Sequence, residues 1–259
     1  MDAIITAGHS AEEKDPLFER TQGRNKALMP LAGRPMIAYI VDALAGMREP
    51  GHILIYGLPE DHGLDLPPGV LCLPARGGIV PNVEAGLAQL RELGSTSEYV
   101  ILMASDIPLI TAACVDAHIA DCFAAGRGYD MYFTVVNTTL MDARFPGARR
   151  SFLRLKDGTF TAGDLHLLRR GAPVTRRDLW NKLVMTRKNA LKQALLIGVI
   201  PLLKVITHQL TLPEAERIFE RRFGLRGRVV SARFPELGMD VDKPGQAEIA
   251  ERALLQMRT

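Results

Sequence analysis

The stretch Tyr99-Val100-Ile101-Leu102-Met103-Ala104-Ser105-Asp106-Ile107-Pro108 decides how the fold is read. Tyr99 to Met103 is an unbroken apolar run of strand length, the mark of a buried strand. An aspartate follows almost at once, at what would be the strand's carboxyl edge. In open α/β sheets that edge is where ligands collect. One carboxylate there suits Mg²⁺, which takes a few protein oxygens and completes its shell with substrate phosphates and water. A purely structural reading, a turn aspartate held by backbone N–H groups, competes with it.

Outward from this stretch the chain alternates strands and helices. Upstream, Ala3-Ile4-Ile5 is a short apolar run ending at Gly8, and Ile53–Tyr56 and Val70–Leu73 are further strands. Pro35 opens a helix with Ile37, Ile40, Val41 and Leu44 on one face. Asn82 is placed to cap another, with Val83, Leu87 and Leu90 inside and Gly94 as its stop. Downstream, Thr111 caps a helix carrying Val115, Ile119 and Phe123. This order predicts an α/β fold: a Rossmann-like, mixed but mostly parallel sheet flanked by helices.

The rhythm changes after about Gly126. Met131 to Val136 is a strand; Ser151–Leu155 and Phe160–Leu168 are expected as two antiparallel strands turning at Asp157-Gly158. A long helix is expected from about Arg176 to Leu203, and Thr211-Leu212-Pro213-Glu214 spells a capping box before a helix that Gly224 ends. Val229-Val230 is a late strand, and a last helix runs from about Pro244 to Met257. No linker or repeat divides the 259 residues. The chain is therefore expected as one domain. Residues 1–126 form the nucleotide-binding half, 127–235 an α+β insertion for an acceptor, and 236–259 a metal-site strand and terminal helix.

Composition narrows the partners. A net charge of +3 does not by itself draw the chain to nucleic acid or an anionic membrane, yet it tolerates small anions. Cys72, Cys114 and Cys122 form no CxxC pair and suit a reduced, cytoplasmic protein, and the six histidines lack ligand spacing. The N-terminus has no signal-peptide pattern. Ala190 to Ile206 is apolar but broken by Lys192, Gln193, Pro201 and Lys204. It is expected as a buried or subunit-facing helix, with a membrane-surface helix as the alternative, and the first reading makes a second copy of the chain a candidate partner.

Two further segments carry chemistry beside Asp106. Ala7-Gly8 after the first strand lets backbone N–H groups approach phosphate, and Lys26 supplies a mobile positive charge. Near the other end stands Gly238-Met239-Asp240-Val241-Asp242-Lys243-Pro244. Asp242 before Lys-Pro also fits a helix N-cap.

Taken together these segments resemble the nucleotidyltransferase superfamily of GT-A-like fold. It includes molybdenum cofactor guanylyltransferases, methylerythritol phosphate cytidylyltransferases and sugar-phosphate nucleotidyltransferases. Ile5-Thr6-Ala7-Gly8 and Asn25-Lys26-Ala27-Leu28-Met29-Pro30-Leu31-Ala32-Gly33-Arg34-Pro35-Met36 stand where that family has its opening loop. Asp106-Ile107-Pro108-Leu109 matches its central block and Asp240-Val241-Asp242-Lys243-Pro244 its late one, while Gly77-Gly78 with Asn82 resembles its nucleotide-contacting turn. The first loop departs: it is longer, lacks a second glycine, and has no arginine at the usual place, which leaves Arg20 or Arg24 as substitutes.

The resemblance implies transfer of a nucleoside monophosphate from a nucleoside triphosphate to a small anionic acceptor, with pyrophosphate leaving. It implies Mg²⁺ on Asp106 and Asp242, and phosphate neutralisation by Lys26. It also implies nucleotide contacts from Ala7, Gly8, Arg20, Arg24, Gly77, Gly78 and Asn82. Two other readings compete. Asp240-Val241-Asp242 looks like the DxD motif of a nucleotide-sugar-dependent glycosyltransferase, and the altered first loop suits a non-catalytic nucleotide binder.

Overall fold

A computed structural model describes residues 1–8, 15–172 and 198–257. The first half is built of β1 (Asp2–Thr6), α1 (Phe18–Thr21), β2 (Pro30–Leu31), β3 (Arg34–Pro35), α2 (Met36–Ala45), β4 (Ile53–Tyr56), β5 (Val70–Leu73), α3 (Ile79–Glu92), β6 (Tyr99–Ala104) and α4 (Ala112–Ala124). The second half adds β7 (Met131–Asn137), α5 (Thr138–Arg144), β8 (Leu153–Leu155), β9 (Gly158–Ala162), β10 (Leu165–Arg169), α6 (Val199–Ile206), α7 (Leu212–Phe223), β11 (Gly227–Ala232) and α8 (Pro244–Gln256).

Among the described residues one nine-stranded sheet runs β5-β4-β1-β6-β10-β7-β9-β8, with β11 on the other edge of β7. The first four of these strands are parallel, as the strand–helix alternation demands. β10 lies antiparallel to β6, so the insertion re-enters the sheet between β6 and β7. Mixed pairing confined to the second half is what the change of rhythm after Gly126 announces.

The strand period of two splits the sheet's side chains between two cores. Ile5, Ile55, Ile101, Met103 and Leu167 face α2, α4 and α8 in the larger core, all nearly inaccessible to water. Ile4, Leu54, Val100, Met131 and Leu168 face α3 on the other side.

Several expectations need correction. Asn82 is not the cap of α3: the helix begins at Ile79, and Asn82 is buried in its first turn. Its side chain accepts the Arg76 N–H (2.7 Å), fixing the loop that leads in. Phe160–Leu168 is not one strand. Ala162 stands opposite Val135 and Leu167 opposite Tyr132, so five residues on one side span three on the other. That bulge falls at Gly163-Asp164. Only glycine fits there, because a Cβ on Gly163 would lie 2.6 Å from the Thr134 side chain.

The expected helix from Arg176 lies mostly outside the described residues. Its end survives as α6, where Ile200, Leu203 and Ile206 are exposed rather than buried, while Val205 packs against a small core with Ile218. The capping box at Thr211 and Glu214 is present in both directions, and Gly224 ends α7 in the left-handed conformation. No helix among the described residues is long and apolar enough to cross a membrane.

Candidate active site

Three segments distant in sequence meet at the carboxyl edge of β1 and β6. β1 ends at Thr6, opposite Ala104 of β6, so Ala7-Gly8 and Ser105-Asp106 leave the sheet side by side. The tail of β4 presses against the first of these. Gly57 has φ +102°, and a Cβ on it would lie 3.0 Å from the Gly8 nitrogen, so only glycine is accommodated.

Asn25 ties the next segment to this edge. Its Nδ2 donates to the carbonyls of Ala7 and Gly57, both at 2.9 Å, while its Oδ1 accepts the Ala27 N–H. The short 3₁₀ turn Lys26–Leu28 starts from that anchor, and Lys26 therefore points back across the strand ends. Asn25 stands beside Lys26 in the sequence without declaring this anchoring role. An asparagine directly before the lysine, able to satisfy two loop carbonyls and cap a turn, was the available signal.

The third segment arrives through the backbone. The Val241 N–H donates to the Asp106 carbonyl (2.9 Å), which sets Asp242 beside Asp106. Gln246, buried in α8, accepts the Asp242 N–H and donates to the Ala148 carbonyl. Asp242 is not the cap of α8. Lys243 occupies that position without a side-chain cap, so the carboxylate of Asp242 is left for other work.

Lys26 Nζ lies between the two carboxylates, 2.7 Å from Asp106 Oδ2 and 2.6 Å from Asp242 Oδ1. Burial acts to lower the lysine's pKa, but the charges and hydrogen bonds of Asp106 and Asp242 outweigh it and hold the ammonium above its usual range. Asp106 Oδ1 is buried and has no hydrogen-bond partner among the described residues. A carboxylate oxygen left without a donor is costly unless a ligand completes it.

Below this cluster sits a second one that the sequence did not announce. The bulge at Gly163 turns Asp164 toward the same edge, where its N–H donates to the Leu237 carbonyl and its carbonyl accepts from Ala104. Arg150 reaches both Asp164, at 3.7 Å, and Asp240, which it contacts directly. Burial pushes the Asp164 carboxyl up to about 7; the nearby charge of Asp106 adds to this and Arg150 opposes it. Asp240 is thereby engaged in a buried ion pair with Arg150.

Other predicted site residues are placed as follows. Gly77 and Gly78 are exposed and precede α3, with Gly77 at φ +87°. Arg20 pairs with Glu251 of α8 at 2.7 Å, and Arg24 donates to the Thr21 carbonyl of its own turn. Neither is brought to Lys26 by a bond. The sequence also offers basic residues of the insertion (Arg149, Arg150, Arg169, Arg170, Arg176, Arg177, Arg187 and Lys188) for an anionic acceptor. Arg150 belongs to the cluster above, Arg169 pairs with Asp130 and Arg170 donates to the Ser95 carbonyl, while residues 176, 177, 187 and 188 lie outside the described residues. Among the described residues no group of three or more His, Cys, Asp and Glu side chains is gathered as a metal cage. A pair of carboxylates at a phosphate-binding edge is the alternative pattern, suited to a cation shared with substrate.

A parallel α/β edge carrying two carboxylates, a lysine and glycine turns defines a nucleotide-using transferase. Residues 3–155 match the family described as MobA-like NTP transferase domain, and the chain belongs to that family. A relative, molybdenum cofactor guanylyltransferase of Rhodobacter capsulatus, is 34% identical over 148 residues, which are 54% of this chain and 75% of that protein. Among solved structures, a hypothetical transferase from Thermus thermophilus is 32% identical, with a TM-score of 0.76 over 95% of this chain and 98% of that one. CMP:2-keto-3-deoxy-manno-octonic acid synthetase complexed with CTP shares the fold, at TM-score 0.55, 11% identity and coverage of 99% and 100%. So does 4-diphosphocytidyl-2C-methyl-D-erythritol synthase from Anaerococcus prevotii, at 0.52, 12%, and coverage of 98% and 95%. Nucleotidyl transfer from a nucleoside triphosphate is the activity class of this chain.

Proposed function

We propose that the chain joins a nucleoside monophosphate to a small anionic acceptor and releases pyrophosphate, and that Asp106 and Asp242 hold the Mg²⁺ this needs. The observation that carries the reading is the cation already shared by those two carboxylates: Lys26 Nζ bridges them while Asp106 Oδ1 has no hydrogen-bond partner among the described residues. Such a donor set fits a small hard cation. When bound, Mg²⁺ would neutralise phosphate charge at the α-phosphorus and lower the barrier to in-line displacement.

The chain's own residues have separable tasks. Ala7 and Gly8 would offer backbone N–H groups to the nucleotide, and Gly77 and Gly78 an open turn for its base. With the carboxylates engaged by a divalent cation, Lys26 would be free to move onto the phosphates; its four-carbon stem allows that shift. Asn25 keeps the turn that carries Lys26 in place. Holding two anionic reactants in line is most of the catalytic task in such transfers.

The guanylyltransferase relative makes GTP the first triphosphate to try. The acceptor of that relative is not carried over, because the family match ends at residue 155 and the insertion lies mainly beyond it. The test is pyrophosphate release from each common triphosphate with Mg²⁺ and a panel of phosphorylated acceptors. Release that needs one triphosphate, the metal and an acceptor supports the reading. Release of a nucleoside diphosphate from a nucleotide sugar would replace it by glycosyl transfer, and binding without any release would make the chain a non-catalytic binder.

A further inference from the structure

Beneath the carboxylate cluster, on the α3 face of the sheet, lies a cavity of about 330 Å³. Thr6, Ala104 and Asp164 line one end of it. These are the carboxyl ends of β1 and β6 and the bulge before β10, so this end opens at the transfer site. From there the wall follows alternate residues of β10, Asp164, His166 and Leu168, and of β6, Ala104 and Leu102. At about 3.3 Å per residue the lining of β10 extends roughly 13 Å from the site. Ile79 and Val83 of α3 form the opposite wall.

The chemistry changes along that depth. The mouth carries a carboxyl, a hydroxyl and, just beyond, Arg150. Deeper in, the wall is mostly apolar, Phe133 included, and carries two polar side chains, Glu84 of α3 and His166. Burial lowers the His166 pKa to about 4, so it is neutral, and its Nδ1 accepts the Thr134 N–H. None of Ala7, Gly8, Lys26, Gly77 or Gly78 lines the cavity. It adjoins the groups assigned to the nucleotide without including them, and most of its wall is apolar. A cavity of this size with one polar end is an ordinary dimension for a ligand pocket.

We infer that this cavity takes the hydrocarbon part of the acceptor, so that the acceptor is an amphiphile: an anionic oxygen head at the carboxylate cluster and an apolar tail running along β10 beneath α3. The inference rests on the nucleotidyl-transfer reading for the role of the head, but the tail pocket is testable without turnover.

The probes are ethyl, butyl, hexyl and octyl phosphate, titrated calorimetrically into the full chain with Mg²⁺, first alone and then with a non-hydrolysable triphosphate. Burial of a methylene in an apolar cavity strengthens binding about fourfold. Affinity should therefore climb by roughly that factor per added methylene until the cavity is full. Val83→Phe and Ile79→Phe should each flatten the climb to less than about twofold per methylene, while triphosphate-dependent thermal stabilisation stays at the wild-type value. Two variants are used so that a failure of one to fold leaves the other. Equal affinity for all four probes overturns the inference, as does an undiminished climb in a folded variant. Failure of the triphosphate to bind, with the chain-length climb present, instead strikes the transfer reading and leaves a tail pocket in place.

Discussion

Two carboxylate pairs lie within the same site, each joined by one cation, and they differ in what the cation is. Lys26 joins Asp106 to Asp242, where the Asp242 side chain is 55% exposed. Arg150 joins Asp164 to Asp240, where the arginine and Asp240 side chains are 14% and 11% exposed. A lysine ammonium on a flexible stem is easily displaced from carboxylates by a metal; a buried guanidinium, with its fixed fork of donors, is not. The comparison teaches that the same charge pattern serves a ligand at one level of the site and holds loops together at the next. It also separates the two aspartates of Asp240-Val241-Asp242, which sequence alone treats alike.

Breaking the deeper pair should have the largest effect. Arg150→Met leaves two partly buried carboxylates without a partner, and loss of one member of such a pair costs about 3–5 kcal/mol. Chemical denaturation should show a loss of that order, with a smaller loss for Asp240→Asn. Breaking the upper pair should act on rate instead. Asp106→Asn should lower kcat/KM by about 10²–10³-fold, comparable to removing a transition-state contact elsewhere, while the melting temperature stays near wild type. If Asp106→Asn destabilised the fold and spared turnover, the assignment of the two pairs would be reversed.

Asn25→Ala sharpens the same comparison, because Asn25 supports only the upper pair. Losing its bonds to Ala7, Gly57 and Ala27 should cost about 1–3 kcal/mol and should depress activity through a misplaced Lys26. The smallest effect is on pH. Burial holds His118 and His166 at pKa values of about 4, so the unfolded chain binds their protons first as pH falls below about 6.5. Stability therefore drops from about 6.5 toward 4. Asp164 opposes this, since the folded chain protonates it at about 7, well above an ordinary aspartate. Stability should fall between pH 7 and 5, and the fall should steepen in Asp164→Asn, as read by thermal melts across that range.

The upper pair was legible in the sequence and the lower one was not. Asp106 follows an apolar run long enough to declare a strand, and Asp242 stands at a fixed distance from a helix start, so local pattern locates both. Asp164 sits in a run, Phe160 to Leu168, whose pattern suggests one continuous strand. The bulge that exposes it is set by contact with Thr134 of another strand, and nothing local marks it. Arg150 follows a turn and looks like a surface cation until Asp240 is brought to it. The parallel half of the sheet was readable for the same reason as Asp106: its strands and helices declare themselves one at a time. The placement of β10 between β6 and β7 depends on pairings made across the chain, and the start of α3 was misjudged because Asn82 caps a loop rather than the helix.

The most direct test of the two-pair account is a titration of Mn²⁺, standing in for Mg²⁺, followed by electron paramagnetic resonance in the presence of a non-hydrolysable triphosphate. Wild type and Asp240→Asn should both bind the cation, and Asp106→Asn should lose it. Retention of the cation by Asp106→Asn, with loss in Asp240→Asn, would contradict the account.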